Sequence, residues 1–533
     1  MNIKKNIFKY TTFRIGVMCI MLLTACDKGF DEMNVNPNAY TEPSLGPLFT
    51  NSLIKTVGTG TADRNRTNIK YVSGAMQYHA TLQDFWYGEK AIVNSQTGNF
   101  FETVYTSHLR ELGVVISSTE GKPALSNQNG IAKIWKVYAL HRVTDAYGDV
   151  PYKEAVSGTE GIYKPKYDKQ SDIYPWMLQD LESAIKQLNT ANASFGGADV
   201  VYGGSVQKWK NFGYSLMLRL AMRLTNVDAT LAKTWVQKAI AGGVMQSNAD
   251  LAKLAHTSAA ANTWNWDARE LKRESLPESS QGAGLVKMGK TFIDLLHINN
   301  DPRLPFYATL WEGNIDSKQA QVISQTSLSA LQKGLPHGYD QGTISKVIPG
   351  WNNTLLKTYS EPNTATVANF SAPSIIISYS EVEFLLAEAS LRGWGPGTAE
   401  EHYHKGIKAN MESSSLYPNS GIAPMQITST EISDYLTAHP LTGSDTDKMK
   451  LINTQFYLAH YMYLDFFEAW SNWRRTGVPS LALITYPLNT TQGLPIRRLM
   501  YSFEEKALNT TNLEAAIARQ GPDTYSTRVW WDK

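Results

Sequence analysis

The chain has 533 residues, with 50 Lys and Arg against 48 Asp and Glu and a formal net charge of +2. That balance lacks the basic excess of a nucleic-acid binder, and 42% hydrophobic with 18% charged residues describes a folded globular chain rather than a disordered one. The two cysteines, Cys19 and Cys26, lie near the start, which leaves the body without a structural disulfide or a cysteine metal cage.

Lys4, Lys5, Lys9 and Arg14 open the chain, no acidic residue precedes Asp27, and an apolar run follows from Ile15 to Leu23. A basic start before a short apolar stretch is a secretory signal, too short for a comfortable membrane span. The run ends in Leu23-Thr24-Ala25-Cys26, which resembles a bacterial lipobox cut before the cysteine. Residues 1–25 are therefore expected to be a lipoprotein signal peptide and Cys26 the lipid carrier. Several acyl chains on one residue anchor stably where a single chain would be marginal. Loss of the four cations takes the net charge from +2 to −2. Residues 26–45, polar and containing Asn34, Asn36, Pro37 and Asn38, read as a tether, and residues 46–533 as one domain.

Helical periodicity dominates the body. Ile131, Ile134, Trp135 and Tyr138 form one apolar stripe, and Leu178, Leu181, Ile185 and Leu188 a second. Leu216, Leu220 and Leu224 mark a third helix, then Trp235, Ala239 and Ile240 a fourth. Val382, Leu386 and Ala389 mark a fifth, and Glu400 to Met411 a sixth. A seventh is predicted from Thr454 to Arg475, stopped by Gly477 with Pro479 beyond, and an eighth from Phe503 to Arg519. The eight fall into four neighbouring pairs. A helix pair with one apolar face cannot bury it alone, so such pairs stack. Three irregular stretches, 60–130, 243–375 and 478–500, interrupt them, and loops of that length are usually functional.

Enzymatic signatures are weak. Gly284 to Thr291 fits the phosphate-loop spacing, but the polar, turn-like segment before it is not the buried strand such a loop needs. His402 and His404, two apart on a helix, face different ways and cannot easily share a metal. Glycoside hydrolysis needs two facing carboxylates; Glu381, Glu383, Glu388, Glu504 and Glu505 sit in helical patterns and read as solvated or capping groups. No cofactor is expected. A structural calcium ion on loop oxygens stays open, although no EF-hand pattern occurs.

Aromatic residues in the loops say more. A sugar packs its C–H face on an indole or phenol ring while its hydroxyls need polar partners. The stretches from Gln83 to Lys90, Asn262 to Arg269, Leu310 to Asn314 and Pro349 to Asn353 combine both features. They make Trp86, Tyr87, Trp264, Trp266, Trp311 and Trp351 the candidate ligand-binding residues. Trp135, Trp209, Trp235, Trp470 and Trp473 sit in helical patterns and are expected in the core, and Trp530 and Trp531 to pack down the chain end. Arg474, Arg475, Arg497 and Arg498 read as structural charges.

Several segments resemble one known family. IWKVYALHRVTDAYGDVPY (Ile134 to Tyr152), KWKNFGYSLMLRLAMRL (Lys208 to Leu224), NDPRL (Asn300 to Leu304) and SYSEVEFLLAEASLRGW (Ser378 to Trp394) are similar to SusD/RagB proteins. So are FFEAWSNWRRTGVPSL (Phe466 to Leu481), LPIRRLMYSFEE (Leu494 to Glu505) and VWWDK (Val529 to Lys533). The resemblance implies an all-α fold of four tetratricopeptide-like helix pairs in a right-handed superhelical scaffold, with ligand loops in the insertions around 60–130 and 243–375. It also implies a non-enzymatic lipoprotein at the surface of a Gram-negative outer membrane. Such a protein captures an oligosaccharide and passes it to a SusC-like TonB-dependent transporter. Two alternatives share the fold: a peptide-binding lid of such a transporter, and a helical-repeat scaffold lipoprotein that binds proteins only.

Overall fold

The structure, a computed structural model, describes residues 44–57, 66–84, 86–275, 285–312 and 324–533. The expected leader, Cys26 and nearly all of the tether lie outside the described residues.

In chain order the elements that carry the argument begin with helices α1 (Leu45–Val57), α2 (Leu109–Thr119), α3 (Ser126–Tyr147), α4 (Gln170–Gln187), α5 (Val206–Arg223) and α6 (Ala229–Gly242). After the long insertion come α7 (Tyr379–Leu391), α8 (Ala399–Glu412), α9 (Asp445–Tyr463) and α10 (Phe466–Thr476). The fold is mostly helical, as expected. α3 packs on α4, α5 on α6, α7 on α8 and α9 on α10, while α4–α5, α5–α7 and α7–α9 contacts join the pairs. α1 and α2 cover the outer face of α3. α3 buries residues all round, from Ile131 and Trp135 to Arg142 and Asp145, which is how a central helix differs from a surface one.

Local chemistry sets the helix starts. The Ser378 hydroxyl accepts from the Glu381 N–H at the head of α7, and Asp228 accepts from the Leu231 N–H at the head of α6. Thr398 with Glu401, and Ser444 with Asp447, form reciprocal capping boxes on α8 and α9. Two predicted helices are broken. The expected rod from Thr454 to Arg475 turns at Leu464, a left-handed residue at φ 48°, and restarts where the Asp465 side chain accepts from the Glu468 N–H. Its two halves form the fourth pair. The expected eighth helix divides at Asn509 into Phe503–Leu508 and Thr510–Gln520.

Among the described residues seven short strands order the irregular stretches: β1 (His79–Thr81), β2 (Ala252–Leu254), β3 (Val286–Met288), β4 (Ala308–Glu312), β5 (Ser324–Thr326), β6 (Glu361–Pro362) and β7 (Ser374–Ile377). All pairings are antiparallel: β1 with β3, β2 with β7, and β4 between β5 and β6. The phosphate-loop spacing is thereby explained away. Val286–Met288 is a strand, only Gly289 separates it from a helix starting at Lys290, and Lys290 pairs with Asp294.

The tryptophans expected in the core are there: Trp135, Trp209, Trp470 and Trp531 are fully buried, and Trp235 and Trp473 nearly so. Trp530 is half-buried against Tyr174. The motif arginines are structural. Arg475 is bidentate on Glu388 at 2.6 Å, Arg474 lies over the Trp470 ring and donates to the Asp145 carbonyl, Arg497 meets Asp532, and Arg498 meets Asp523. Glu381, Glu383 and Glu388 are not solvated, contrary to expectation. They are buried and paired with Arg219, His402 and Arg475 respectively. His402 and His404 serve separate partners, Glu383 with the Pro396 carbonyl and the His439 carbonyl. Among the described residues no group of three or more His, Cys, Asp or Glu could hold a metal ion.

Candidate ligand-binding site

The three irregular stretches meet beside the main core. There Ala80, Leu82, Leu335, Ile344 and Tyr359 form a small separate apolar cluster, and the partly exposed Tyr339, Ile348, Trp351 and Leu356 pack on it. The Trp351 and Tyr359 rings lie 6.0 Å apart at 43°. The Trp351 indole N–H is buried with no hydrogen-bond partner among the described residues. Polar groups stand beside this wall. The Tyr486 hydroxyl donates to Asp84 Oδ1 at 3.1 Å, and Asp84 keeps 68% of its side chain exposed. Asn352 and Asn353 are exposed next to Trp351.

Side-chain bonds hold the loops together. Glu89 accepts from the Thr81 and Gly338 N–H groups, both at 3.0 Å. Lys90 donates to the Thr81 and Gln83 carbonyls and lies 5.5 Å from the centre of the Tyr486 ring. The Thr485 hydroxyl donates to the Gly338 carbonyl at 3.1 Å. Gly338 has φ 77°, a left-handed conformation that favours glycine, and a Cβ there would make a tight 3.2 Å contact with the Thr485 nitrogen. Burial pushes the Glu89 carboxyl up to about 7 against the opposing pull of Lys90 and the two N–H groups. Burial also lowers His337 to about 4, which keeps its ring neutral. The Thr343 hydroxyl and N–H hold Asp340 below the usual carboxylate range. Ring faces, exposed amides and a carboxylate in one place suit a polyhydroxylated ligand that packs on one side and hydrogen-bonds on the other.

The structure distributes the six sequence candidates unevenly. Trp351 is part of the wall. Trp86 is not a platform: it is 0% exposed, edge-on to His79 at 6.0 Å. Its pocket exists because Gly74 has no side chain; a Cβ there would lie 2.7 Å from the indole. Tyr87 is half-buried and stacks obliquely on Tyr71 at 5.2 Å. Trp264 and Trp266 form a second aromatic surface. Trp264 lies 4.5 Å from Phe370, with Lys272 over the Phe370 ring, and Arg269 covers Trp266 at 4.7 Å. Trp311 lies on β4 opposite Gln325; its side chain is outside the described residues. Sequence reasoning missed Tyr339, Tyr359, Tyr486 and Asp84. The long-loop signal pointed to the stretches that hold them, but no local pattern said that those stretches converge.

Among the described residues, no helix is long and apolar enough to cross a membrane. The family profile SusD-like_2, described as "Starch-binding associating with outer membrane", matches residues 37–502. No curated protein matches the sequence. Among solved structures, one described as a chitin-binding protein is 30% identical, with TM-score 0.77 over 92% of this chain and 100% of that one. A SusD homologue from Bacteroides uniformis is 25% identical, with TM-score 0.72 over 92% and 100%. A chitin-binding SusD homologue from Flavobacterium johnsoniae is 23% identical, with TM-score 0.70 over 92% and 99%, a likeness of fold. With a profile match over most of its length and relatives of the same helical-pair architecture, the chain belongs to the SusD-like family.

Proposed function

We propose that this protein is a cell-surface glycan-binding lipoprotein that captures oligosaccharide and delivers it to a SusC-like TonB-dependent transporter. The observation that carries the reading is the pair of partly exposed rings Tyr339 and Trp351, backed by the buried Tyr359, with Asp84, Tyr486 and Asn352 beside them, built where three long loops meet. The likeness to a chitin-binding protein at 30% identity over 92% of the chain favours β-linked N-acetylglucosamine oligomers as ligand. Their C–H faces and acetamido methyls suit the partly exposed Trp351 ring, and their hydroxyls the exposed Asn352 and Asn353 amides. Binding involves no covalent step and no cofactor. Residues 1–25 act as the signal peptide, Cys26 carries the lipid that holds the protein to the outer membrane, residues 26–45 are the tether, and residues 46–533 form the binding domain.

Calorimetric titration of the mature protein with a panel of oligosaccharides and peptides tests this. Heat with chitin oligosaccharides and none with peptides is the expected result. Heat with peptides alone assigns the protein to the peptide-binding lids. Silence with both, together with co-purification of the transporter, assigns it to the protein-binding scaffolds.

A further inference from the structure

Backbone pairing between the first ligand loop and the long insertion ends at Thr81 and Val286, where β1 leaves β3. Beyond that point Glu89 bonds to Gly338 of the insertion, while the next residue, Lys90, ties the first loop to itself; both side chains are fully buried. We propose that Glu89 and Lys90 are positioning residues of the ligand site: they fix Gly338, Thr81 and Gln83 so that Tyr339 and Asp84 stand in one binding geometry. The proposal rests on the glycan-binding reading of these loops.

The connectivity is specific. Glu89 Oε1 takes the Gly338 N–H, and the Gly338 carbonyl is taken by Thr485, so this one residue joins all three loops. The next residue is Tyr339 of the aromatic wall. Glu89 Oε2 takes the Thr81 N–H while Lys90 takes the Thr81 carbonyl, which closes a ring of bonds around the start of the first loop. Lys90 also takes the Gln83 carbonyl, one residue before Asp84, and its ammonium lies 3.9 Å from the Asp84 carboxylate. Gly88 seats the pair. A Cβ there would lie 1.6 Å from the Tyr71 carbonyl oxygen, so the turn carrying Glu89 and Lys90 is pressed against the segment around Tyr71.

Burying two ions is expensive, and an apolar pair of similar volume would serve stability at least as well. What an apolar pair could not do is reach four backbone groups on two loops. The charged groups facing Glu89 are Lys90 from its own turn and Asp84 from the loop before it. Its proton changes hands near neutrality, where the ionised form is the better acceptor for two N–H groups.

Hydrogen exchange and chitohexaose titration of the mature protein, its Glu89→Gln and its Lys90→Met variants test this. Glu89→Gln keeps the volume but turns one acceptor into a donor facing an N–H. Faster exchange at Thr81, Gly338 and Tyr339 is expected, with α3 and α5 unchanged and a roughly tenfold loss of affinity, the scale of a charged hydrogen bond. Wild-type affinity should rise from pH 6 to pH 8 and that of Glu89→Gln stay flat. Unchanged exchange at Thr81 and Gly338, or loss of protection spread through the scaffold helices, overturns the proposal. Loosened loops with wild-type affinity overturn it too and leave the glycan reading standing. If the wild type ignores chitohexaose while exchange loosens only at these loops, the chitin reading falls and the positioning role stands.

Discussion

Arg219 and Glu381, 162 residues apart, meet through two hydrogen bonds of 2.6 and 2.7 Å with neither side chain more than 3% exposed. The pair joins α5 of the second helix pair to α7 of the third. Burial pushes the Glu381 carboxyl up, but the Arg219 charge and His460 outweigh it and hold the group below the usual carboxylate range. Glu468, 3.6 Å from Arg219 and bidentate on Arg223, extends the network to the fourth pair. Stacked pairs of helices could slide on apolar faces alone, and charges at fixed positions set one register.

Removing one partner should therefore cost more than removing both. Glu381→Leu takes from the buried Arg219 guanidinium both of its short carboxylate bonds, leaving Glu468 at 3.6 Å, and should lower unfolding free energy by about 3–5 kcal/mol. The double change Arg219→Met with Glu381→Leu should recover most of that loss. Urea unfolding of Glu381→Leu, Arg219→Met and the double variant checks it; additive losses would show that the pair is not coupled.

Two of the three buried ion pairs of α7, Glu383–His402 and Glu381–Arg219, should respond to pH in opposite senses. Burial lowers the His402 pKa, but the hydrogen bond and charge of Glu383, 2.6 Å away, outweigh it and leave the group raised. A raised folded pKa gives a contribution that is complete below the ordinary histidine range and lost as pH rises through the folded value. Glu381, whose pKa is depressed, contributes above the ordinary carboxylate range and loses that contribution in acid. The stability gap between wild type and His402→Gln should thus shrink from pH 5.5 to pH 8.5, measured as urea midpoints. A gap that widens would reverse the assignment of charge on His402.

Much of the scaffold was legible in the sequence, because a repeating apolar stripe is a local signal. The break at Leu464 was not. Leu464 continues the stripe, and only the spacing of Asp465 and Glu468 marks a new helix start. The burial of Glu381, Glu383 and Glu388 was hidden for another reason: Arg219 and Arg475, partners of two of them, lie on remote helices. In the site, the aromatic content of the loop around Trp351 was visible. Its placement beside Tyr486 and Asp84 was not, since those two residues are 402 positions apart.

Trp86 shows how composition misleads. Set among Gln83, Asp84, Glu89 and Lys90 it looks like an exposed ring, yet it fills the slot at Gly74. Trp86→Ala should cost about 3–5 kcal/mol of stability, the usual range for emptying a buried aromatic position. The change should appear in the melting temperature. Loss of affinity at unchanged stability would return Trp86 to the ligand surface.

Cys26→Ser tests the anchor separately from the site. The variant should fail to take up radiolabelled palmitate and should leave the membrane fraction, while its soluble form keeps the oligosaccharide affinity of the lipidated protein. Acyl chains contribute about 0.8 kcal/mol per buried methylene to membrane attachment and nothing to a site on loops of the folded domain. Retention in the membrane after the substitution would mean that another element holds the protein there.

The two aromatic surfaces compete for the role of glycan platform, and single substitutions separate them. Trp351 belongs to the wall at the loop junction, with its indole N–H buried and without a partner among the described residues. Trp264 spends its N–H on the Ser258 carbonyl at 3.3 Å and one ring face on Phe370. Trp351 is also the ring flanked by exposed amides, Asn352 and Asn353. Trp351→Ala should weaken chitohexaose binding by about 10- to 30-fold, equivalent to about 1.5–2 kcal/mol for a lost stacking surface, and Trp264→Ala by less than threefold. Trp351→Phe, which keeps a ring but removes the N–H, should fall between wild type and Trp351→Ala if the donor contributes, and match wild type if packing alone does. The reverse ranking of Trp351→Ala and Trp264→Ala would move the platform to the Trp264–Phe370 surface.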